Sequence, residues 1–152
     1  YDTNMAEIVI FDWKRTLYDP DNCVLIDGTI DVLQSLGAKA LKLFLVGKDQ
    51  DGSMPSETSR LEVSTYFQGI HFANESETED DIAQFINPEH PELAVVVGDR
   101  VRSEIEVGNQ LGLTTVWVRK GKFAHETPLR PVQIPDYTIG DISELIPLVD
   151  NL

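Results

Sequence analysis

Acidic side chains follow two apolar segments of the sequence, each at the point where a buried strand would end. The stretch "IVIFDWKRTLYD" (8–19) runs apolar residues directly into Asp12, and the apolar stretch "AVVVG" (94–98) runs directly into Asp99. Glu104 follows a few residues later. Carboxylate oxygens suit Mg²⁺, which accepts few carboxylates and keeps several waters. The sequence therefore predicts a magnesium site that contains these three acids.

Helix capping is the other interpretation of the same acids. Loops that lead from a strand into a helix commonly end in Asp or Ser, whose side chain accepts a hydrogen bond from the first helical turn. For Asp99 alone the two interpretations are equally supported. Two acids after such similar apolar segments favour a shared site.

The apolar segments predict a parallel sheet. Their apolar residues are mostly continuous rather than alternating, which indicates strands buried on both faces by helices. Strand-like segments are 7–13, 41–47, 92–99 and 114–121, with weaker candidates at 69–74 and 136–140. Helical patterns between them begin at Thr29, at 56, at Ser76 or Thr78, at Ser103, and at Asp141 or Ser143.

Alternating strands and helices predict the fold class. We expect an α/β protein, a three-layer α/β/α sandwich with a mainly parallel, Rossmann-like sheet, in a single domain over residues 1–152. Gly37 and Gly112 are expected to end helices, Pro147 to interrupt the last one, and segment 126–135 to form a surface loop. Ligands of such sheets bind beyond the carboxyl ends of the strands, where Asp12 and Asp99 fall.

Composition excludes several classes of partner. Lys plus Arg number 12 and Asp plus Glu number 26, so the net charge of -14 repels nucleic acids and anionic lipid surfaces. No apolar segment approaches the roughly 18 residues of a membrane span. Cys23 is the only cysteine, and the first residues lack a signal-peptide pattern, which predicts a cytoplasmic protein. Residues 1–6, around Met5, are interpreted as a remnant of processing or expression.

Three segments carry a resemblance to a known family. "IVIFDWKRTLYD", "LKLFLVGKD" and "LAVVVGDRVRSEIEVGNQLGLTTVWVRKG" resemble, in order and spacing, the motifs of the haloacid dehalogenase-like (HAD) superfamily. The resemblance covers nearly the whole chain. It implies a HAD-like fold and phosphatase chemistry through an aspartyl-phosphate, with Mg²⁺ neutralising the phosphoryl oxygens.

The resemblance assigns roles to particular residues. Asp12 matches the nucleophile, and Thr16 and Leu17 match the end of the first motif. The implied Mg²⁺ ligands are Asp12, Asp99, Glu104 and the backbone carbonyl of Lys14.

The sequence departs from the family pattern at three positions. Lys14 replaces the aspartate that shuttles protons, Gly47 replaces the phosphate-binding hydroxyl, and Glu77 falls where a lysine is expected. An ammonium beside Asp12 and Asp99 stays charged and cannot act as a base, and general-base help is typically worth about 10² to 10⁴-fold. Two interpretations of Lys14 stay open: with Lys48 it holds an anion, or it extends into solvent.

These departures lead to competing hypotheses about function. The first is a HAD-like domain with degraded phosphatase machinery, which binds Mg²⁺ or an anion weakly and has a binding or regulatory role. The second is an active Mg²⁺-dependent phosphomonoesterase that uses Asp12 as nucleophile and Glu104 or Glu77 as a rearranged acid/base. A receiver-type signalling domain is disfavoured, because the strand that would accept phosphate ends in Gly47.

The sequence also predicts an uncovered site. About thirty residues separate Asp12 from the second strand, which leaves no room for an inserted cap domain. An open crevice does not exclude water around a small metabolite. We therefore expect a phosphorylated substrate or anion, together with a protein partner or a homo-oligomer, and no nucleic-acid or membrane partner.

Overall fold

A parallel sheet organises the protein. The computed structural model of the chain describes residues 5–74 and 78–152; residues 1–4 and Glu77, both discussed above, lie outside the described residues. Six strands form the sheet in the order β5-β4-β1-β6-β7-β8, and each neighbouring pair is parallel. These strands are β1 (Ile8–Phe11), β4 (Lys42–Lys48), β5 (Gly69–Ala73), β6 (Ala94–Gly98), β7 (Thr114–Val118) and β8 (Tyr137–Ile139). An antiparallel hairpin of β2 (Tyr18–Asp19) and β3 (Val24–Leu25) follows β1.

In the described part of the chain, four short helices lie between strands, and a fifth follows the last strand. They are α1 (Thr29–Ala38), α2 (Met54–Arg60), α3 (Glu79–Ala83), α4 (Glu106–Leu111) and α5 (Leu145–Val149). Single 3₁₀ turns span Ser64–Tyr66, Pro91–Leu93, Gly121–Phe123, Pro131–Gln133 and Ile142–Glu144, and a π-helical turn spans Val101–Ile105.

The central strand shows why the fold has three layers. Side chains of a strand alternate between the two faces of its sheet. On β1, Val9 and Phe11 join the core formed with α1, α2 and α5, whereas Ile10 joins the core formed with α3 and α4. The three-layer α/β/α fold with a parallel, Rossmann-like sheet is therefore confirmed.

The strand predictions hold better than the helix predictions. All six predicted strands are present, including the two weaker ones, and the β2–β3 hairpin was not predicted. The helix expected from residue 56 to 67 ends at Arg60. Gly28, with φ of 94°, precedes α1, so Thr29 is its first residue and not its cap; the Thr29 hydroxyl donates to the Leu17 carbonyl oxygen at 3.1 Å.

Proline and glycine positions give mixed outcomes. Gly112 follows α4 with φ of 82°, as predicted. Gly37 lies within α1, which ends at Ala38. Pro147 does not interrupt the last helix, because it lies in the first turn of α5, where an N–H has no intrahelical partner to lose.

No cap domain is inserted in the part of the chain that the structure describes. The hairpin and α1 fill the connection from β1 to β4, and α2 with one 3₁₀ turn fills the connection from β4 to β5. Among the described residues, no helix has the length and apolar character needed to cross a membrane.

Gly108 provides a test of how α4 packs on the sheet. A Cβ at Gly108 would overlap Cγ1 of Val96 and lie 2.8 Å from Cγ2 of Thr115. Because the interior is close-packed, we expect Gly108→Ala to lower the free energy of unfolding by about 1–3 kcal/mol in urea titrations. Gly37→Ala is the matched control, since nothing lies within 4 Å of its added methyl group; it should leave stability unchanged or raise it by up to about 1 kcal/mol. Equal stability of both variants would contradict the close approach of α4.

Candidate functional site

Three carboxylates meet at the carboxyl edge of the sheet. Because β1 and β6 are parallel neighbours, the residues that follow them emerge at the same edge. One side-chain oxygen from each of Asp12, Asp99 and Glu104 lies within 4.8 Å of the others. Asp99 and Glu104 are buried, and Asp12 is half-buried. The structure thus brings together the three side chains predicted to bind Mg²⁺.

Glu104 holds the loop that carries Asp99. Its Oε1 accepts hydrogen bonds from the backbone N–H of Asp99, at 3.0 Å, and of Arg100, at 3.2 Å. Gly98 permits this arrangement, because a Cβ there would overlap the Glu104 side chain. Glu104 lies in the π-helical turn, a widening of the helix that is frequent at functional sites.

Asp99 is the acid that most needs a cation. Burial raises the pKa of its carboxyl group above the ordinary value. Its Oδ2 is buried and has no hydrogen-bond partner among the described residues. Buried polar atoms normally have partners. A bound cation would give this oxygen the partner that the described residues do not supply. The donor set of this cluster therefore fits Mg²⁺.

Asp12 is oriented by the first turn after β1. The Thr16 hydroxyl donates to Asp12 Oδ2 at 3.1 Å, and Thr16 is buried. The Asp12 backbone N–H donates to the Val97 carbonyl oxygen at 3.0 Å, which extends the pairing of β1 with β6 by one residue. These contacts direct the carboxylate toward the cavity that it lines.

The cavity above the acids has a volume of about 360 Å³. Its wall contains the carboxylates of Asp12, Asp51, Asp99 and Glu104, and the cations of Lys14, Arg15, Lys48 and Arg100. Gln50, Ser103 and Phe123 complete it. A chain with a net charge of -14 therefore places a third of its 12 basic residues around one cavity.

Lys14 lies in the cavity wall and is half-buried. Its backbone forms an isolated bridge with Tyr18, at the base of the hairpin. Hydrogen bonds from Ser53 hold the pKa of Asp51 below its ordinary value, and the charge of Lys14 contributes in the same direction. This influence places the Lys14 charge near Asp51, another residue of the wall.

The two residues predicted to bind phosphate have different positions. Lys48 is exposed and lines the cavity, whereas Gly47 is buried and does not line it. A Cβ at Gly47 would overlap Cε of Met54 and lie 2.6 Å from its Sδ. Met54 begins α2 and is fully buried, so it fills the space that a hydroxyl side chain at position 47 would need.

Several residues of the wall were not identified from the sequence. Arg15 and Arg100 each lie next to a motif residue, which was a usable signal. Phe123 comes from the turn after β7, and Arg100 lies over its ring with the guanidinium carbon 4.1 Å from the ring centroid. The Arg100 side chain also donates to Glu126 Oε2 at 2.9 Å, so segment 126–135 begins with a residue that holds the site in place.

A second cavity, of about 500 Å³, adjoins the first. Its lining includes Val24 and Leu25 of the hairpin together with Val118 and Lys122. Arg15 lines both cavities. Arg15, in the turn after β1, is therefore shared by the cavity above the acidic cluster and the larger cavity beside the hairpin.

Comparison with known proteins gives the same assignment as the motifs. A family model described as HAD-hydrolase-like matches residues 74–145. The glyceraldehyde 3-phosphate phosphatase of Methanocaldococcus jannaschii is 28% identical over 130 residues, which are 82% of this chain and 56% of that protein. The chain is therefore similar to hydrolases of the haloacid dehalogenase-like superfamily.

Solved structures of the superfamily share the fold. The HAD-hydrolase YfnB of Bacillus subtilis, described as bound to magnesium, aligns with a TM-score of 0.68 at 21% identity over 83% of this chain and 56% of that one. L-2-haloacid dehalogenase from Xanthobacter autotrophicus aligns with a TM-score of 0.76 at 11% identity over 97% of this chain and 100% of that one. The curated relatives are longer, since the chain covers only 25% to 56% of their lengths.

The raised pKa of Asp99 predicts a pH-dependent effect of Asp99→Asn. Because folded Asp99 binds its proton more tightly than in the unfolded chain, its ionisation destabilises the fold above both pKa values and has no effect below the ordinary value of 3.8. Without metal at pH 7, we expect Asp99→Asn to raise the free energy of unfolding, by an amount that shrinks as the pH falls toward 3.8. Urea titrations in a chelator across this pH range measure it.

Asp141→Asn is the control of opposite sign. The Lys120 side chain and then the Ser143 backbone donate to Asp141 and lower its pKa to about 2. That variant should lose stability at pH 7 and recover as the pH falls toward 2. A destabilised Asp99→Asn protein at pH 7 without metal would contradict the assignment of Asp99 as an uncompensated buried acid.

The overlap between positions 47 and 54 predicts coupled substitutions. We expect Gly47→Ser to lower the free energy of unfolding by about 1–3 kcal/mol, because the new side chain meets Met54. Met54→Ala should cost about 2–5 kcal/mol through the cavity it leaves. The double variant should be more stable than the sum predicts, by about 0.5–3 kcal/mol, in a double-mutant cycle of urea titrations. Strict additivity would show that Met54 does not occupy this space.

Proposed function

We propose that this chain is a HAD-like domain with degraded phosphatase machinery. It binds Mg²⁺ and a phosphate-type anion at the cavity above Asp12 and acts as a binding or regulatory module. The observation that carries the proposal is the position of Lys14, which stands two residues after Asp12 and lines the same cavity. A positive charge there attracts an anion and offers no base.

The charges of the cavity favour this assignment. Four carboxylates and four basic side chains line the wall, so their charges balance when all are ionised. A bound divalent cation would add two positive charges, which match a phosphate dianion. The large negative charge elsewhere has little influence, because salt screens exposed charges beyond about 10 Å.

The chemistry of a phosphate ester shows what the site lacks. When bound, Mg²⁺ neutralises the carboxylates and polarises a phosphoryl oxygen. Asp12 can attack phosphorus, whereupon the ester P–O bond breaks and the leaving oxygen needs a proton. Hydrolysis of the aspartyl-phosphate then requires a base to take a proton from the attacking water. Lys14 can donate hydrogen bonds but cannot accept that proton, so turnover is slow.

The remaining acids of the cavity are poor substitutes for this base. Glu104 Oε1 already accepts two backbone hydrogen bonds, which hold it in place. Asp51 has a lowered pKa, and a weakly basic carboxylate takes protons poorly at neutral pH. Neither residue replaces an aspartate two positions after the nucleophile.

An active Mg²⁺-dependent phosphomonoesterase is the second candidate. It is favoured by the similarity to proteins named glyceraldehyde 3-phosphate phosphatase and by the Thr16–Asp12 hydrogen bond, which orients the nucleophile position. Under this alternative the ligand is a substrate, and a rearranged acid/base sustains turnover.

Partners and location follow from the same proposal. The cavity is open to solvent at Lys48, so we propose that a protein partner or a second copy of the chain covers it. The negative net charge argues against nucleic acid and anionic membranes. We propose a cytoplasmic location for the protein.

Hydrolysis of p-nitrophenyl phosphate in Mg²⁺ tests the proposal directly. We expect equally low turnover in the wild type and Asp12→Asn, and an increase of about 10² to 10⁴-fold in Lys14→Asp, because that variant regains the missing base. Lys48→Asp is the matched control: it makes the same charge change in the same cavity and should not gain activity. Calorimetric titration with Mg²⁺ should show binding that Asp99→Asn weakens.

Two outcomes would change this conclusion. Wild-type turnover that disappears in Asp12→Asn would overturn the degraded-machinery proposal and establish the phosphomonoesterase. A stable phosphoryl adduct on Asp12, detected by mass spectrometry, would keep the argument about the missing base and remove the purely binding role.

A further inference from the structure

Arg15 differs from every other arginine of the chain. The others each donate a side-chain hydrogen bond within the protein: Arg60 to Cys23, Arg100 to Glu126, Arg102 to Thr127, Arg119 to Ala124 and Arg130 to Glu106. Among the described residues, the Arg15 guanidinium has no such bond. Its guanidinium carbon lies 5.9 Å from the Phe123 ring centroid, a looser contact than the 4.1 Å of Arg100. The five N–H donors of the Arg15 side chain therefore have no protein acceptor among the described residues.

The backbone of Arg15 adopts a conformation that costs free energy. Its φ of 64° lies in the left-handed region, which glycine adopts readily and an arginine does not. The Arg15 N–H donates to the Tyr18 carbonyl oxygen at 2.6 Å, which closes the turn at the base of the hairpin. A glycine would adopt this turn without strain. Strained backbone conformations cluster at functional sites, so the presence of arginine here points to a role for its side chain.

The turn directs Arg15 to the place where an anion would bind. Arg15 lines the cavity above Asp12 as well as the adjoining cavity under the hairpin. Its positive charge lowers the pKa of Asp99, against the stronger effect of burial, and it also lowers the pKa of Asp19 in the second cavity. The guanidinium charge therefore acts on carboxylates of both cavities.

The same cavity lacks a hydroxyl donor at position 47. Met54 fills the space beside Gly47, so that position offers no side chain to a phosphoryl group. Lys48 is exposed, and Arg100 is shared with Glu126. Lys14 is half-buried like Arg15, but its ammonium is a point charge on a flexible stem. The planar Arg15 guanidinium forms no salt bridge among the described residues and can bind a phosphate through two parallel hydrogen bonds.

We infer that Arg15 is the principal phosphate-binding side chain of this protein. It donates two parallel N–H···O hydrogen bonds to the phosphoryl group of inorganic phosphate or a phosphate monoester, with the rest of an ester extending toward the cavity under the hairpin. This inference rests on the proposed anion-binding function, and it assigns to Arg15 the recognition that the residue at position 47 does not provide.

Arg15→Gly separates binding from folding. In calorimetric titrations with inorganic phosphate in saturating Mg²⁺, we expect the variant to bind roughly 10- to 100-fold more weakly, as expected for lost hydrogen bonds to a charged group. Its thermal midpoint should stay equal or rise, because glycine removes the strain at φ of 64°. Mg²⁺ affinity should stay equal or increase, since a cation near Asp99 is gone. Arg15→Lys should bind phosphate with intermediate affinity.

Ala40→Gly is the matched control for the backbone. Ala40 has the same φ of 64°, is exposed and follows α1, outside both cavities. It should raise the thermal midpoint without changing phosphate affinity.

Each contrary outcome has a distinct meaning. Unchanged phosphate affinity together with a lower thermal midpoint in Arg15→Gly would show that Arg15 is a structural partner of Phe123, which overturns this inference and leaves the proposed function standing. Wild-type protein that binds Mg²⁺ but no phosphate would overturn both.

Discussion

Mutual repulsion among three carboxylates at the ends of two parallel strands is the constraint around which the site is built. Each acid is compensated differently: Glu104 by two backbone N–H groups, Asp12 by the Thr16 hydroxyl, and Asp99 only in part. The backbone amides and the hydroxyl are supplied by the fold and cannot leave. Asp99 is therefore the acid whose buried negative charge is least compensated by the protein, and a small divalent cation would compensate it most effectively.

The cations around the cavity offset part of this negative charge. Arg100 is fixed by Glu126 and the Phe123 ring, so it holds the loop after β7 against the loop that carries Asp99. Lys14 and Arg15 come from the turn between β1 and the hairpin, where the backbone is constrained by Tyr18. The site is thus assembled from the four connections that follow β1, β4, β6 and β7.

The sequence predicted the parts of the fold that depend on local pattern. Continuous apolar segments specify strands buried on both faces, and their order with the intervening helices gave the layers and the edge at which Asp12 and Asp99 meet. The β2–β3 hairpin was missed because its strands are two residues long and carry no periodicity. Pro147 was misjudged because its effect depends on its position within the helix, and the start of α5 could not be located from composition.

Site residues that directly follow a strand could be predicted from the sequence. Site residues whose position depends on the path of a loop or on tertiary packing could not. Asp12, Asp99, Glu104 and Lys48 could be placed because strand ends converge at one edge of a parallel sheet. Phe123 could not, since its approach depends on the path of the loop after β7. The same holds for Met54, whose packing beside Gly47 is a tertiary contact that neither residue reveals alone.

The departures from the family pattern at positions 47 and 14 differ in how closely they are tied to the core. Met54 is fully buried against the central core, so a hydroxyl side chain at position 47 would disturb core packing. Lys14 is different, because it lies in a cavity wall where its side chain can change without disturbing the core. Under the proposed function, an anion in this cavity is held by the cations of the wall, because position 47 offers no hydroxyl. Arg15, which has a strained backbone and lines this cavity, is the side chain that we propose binds the phosphoryl group.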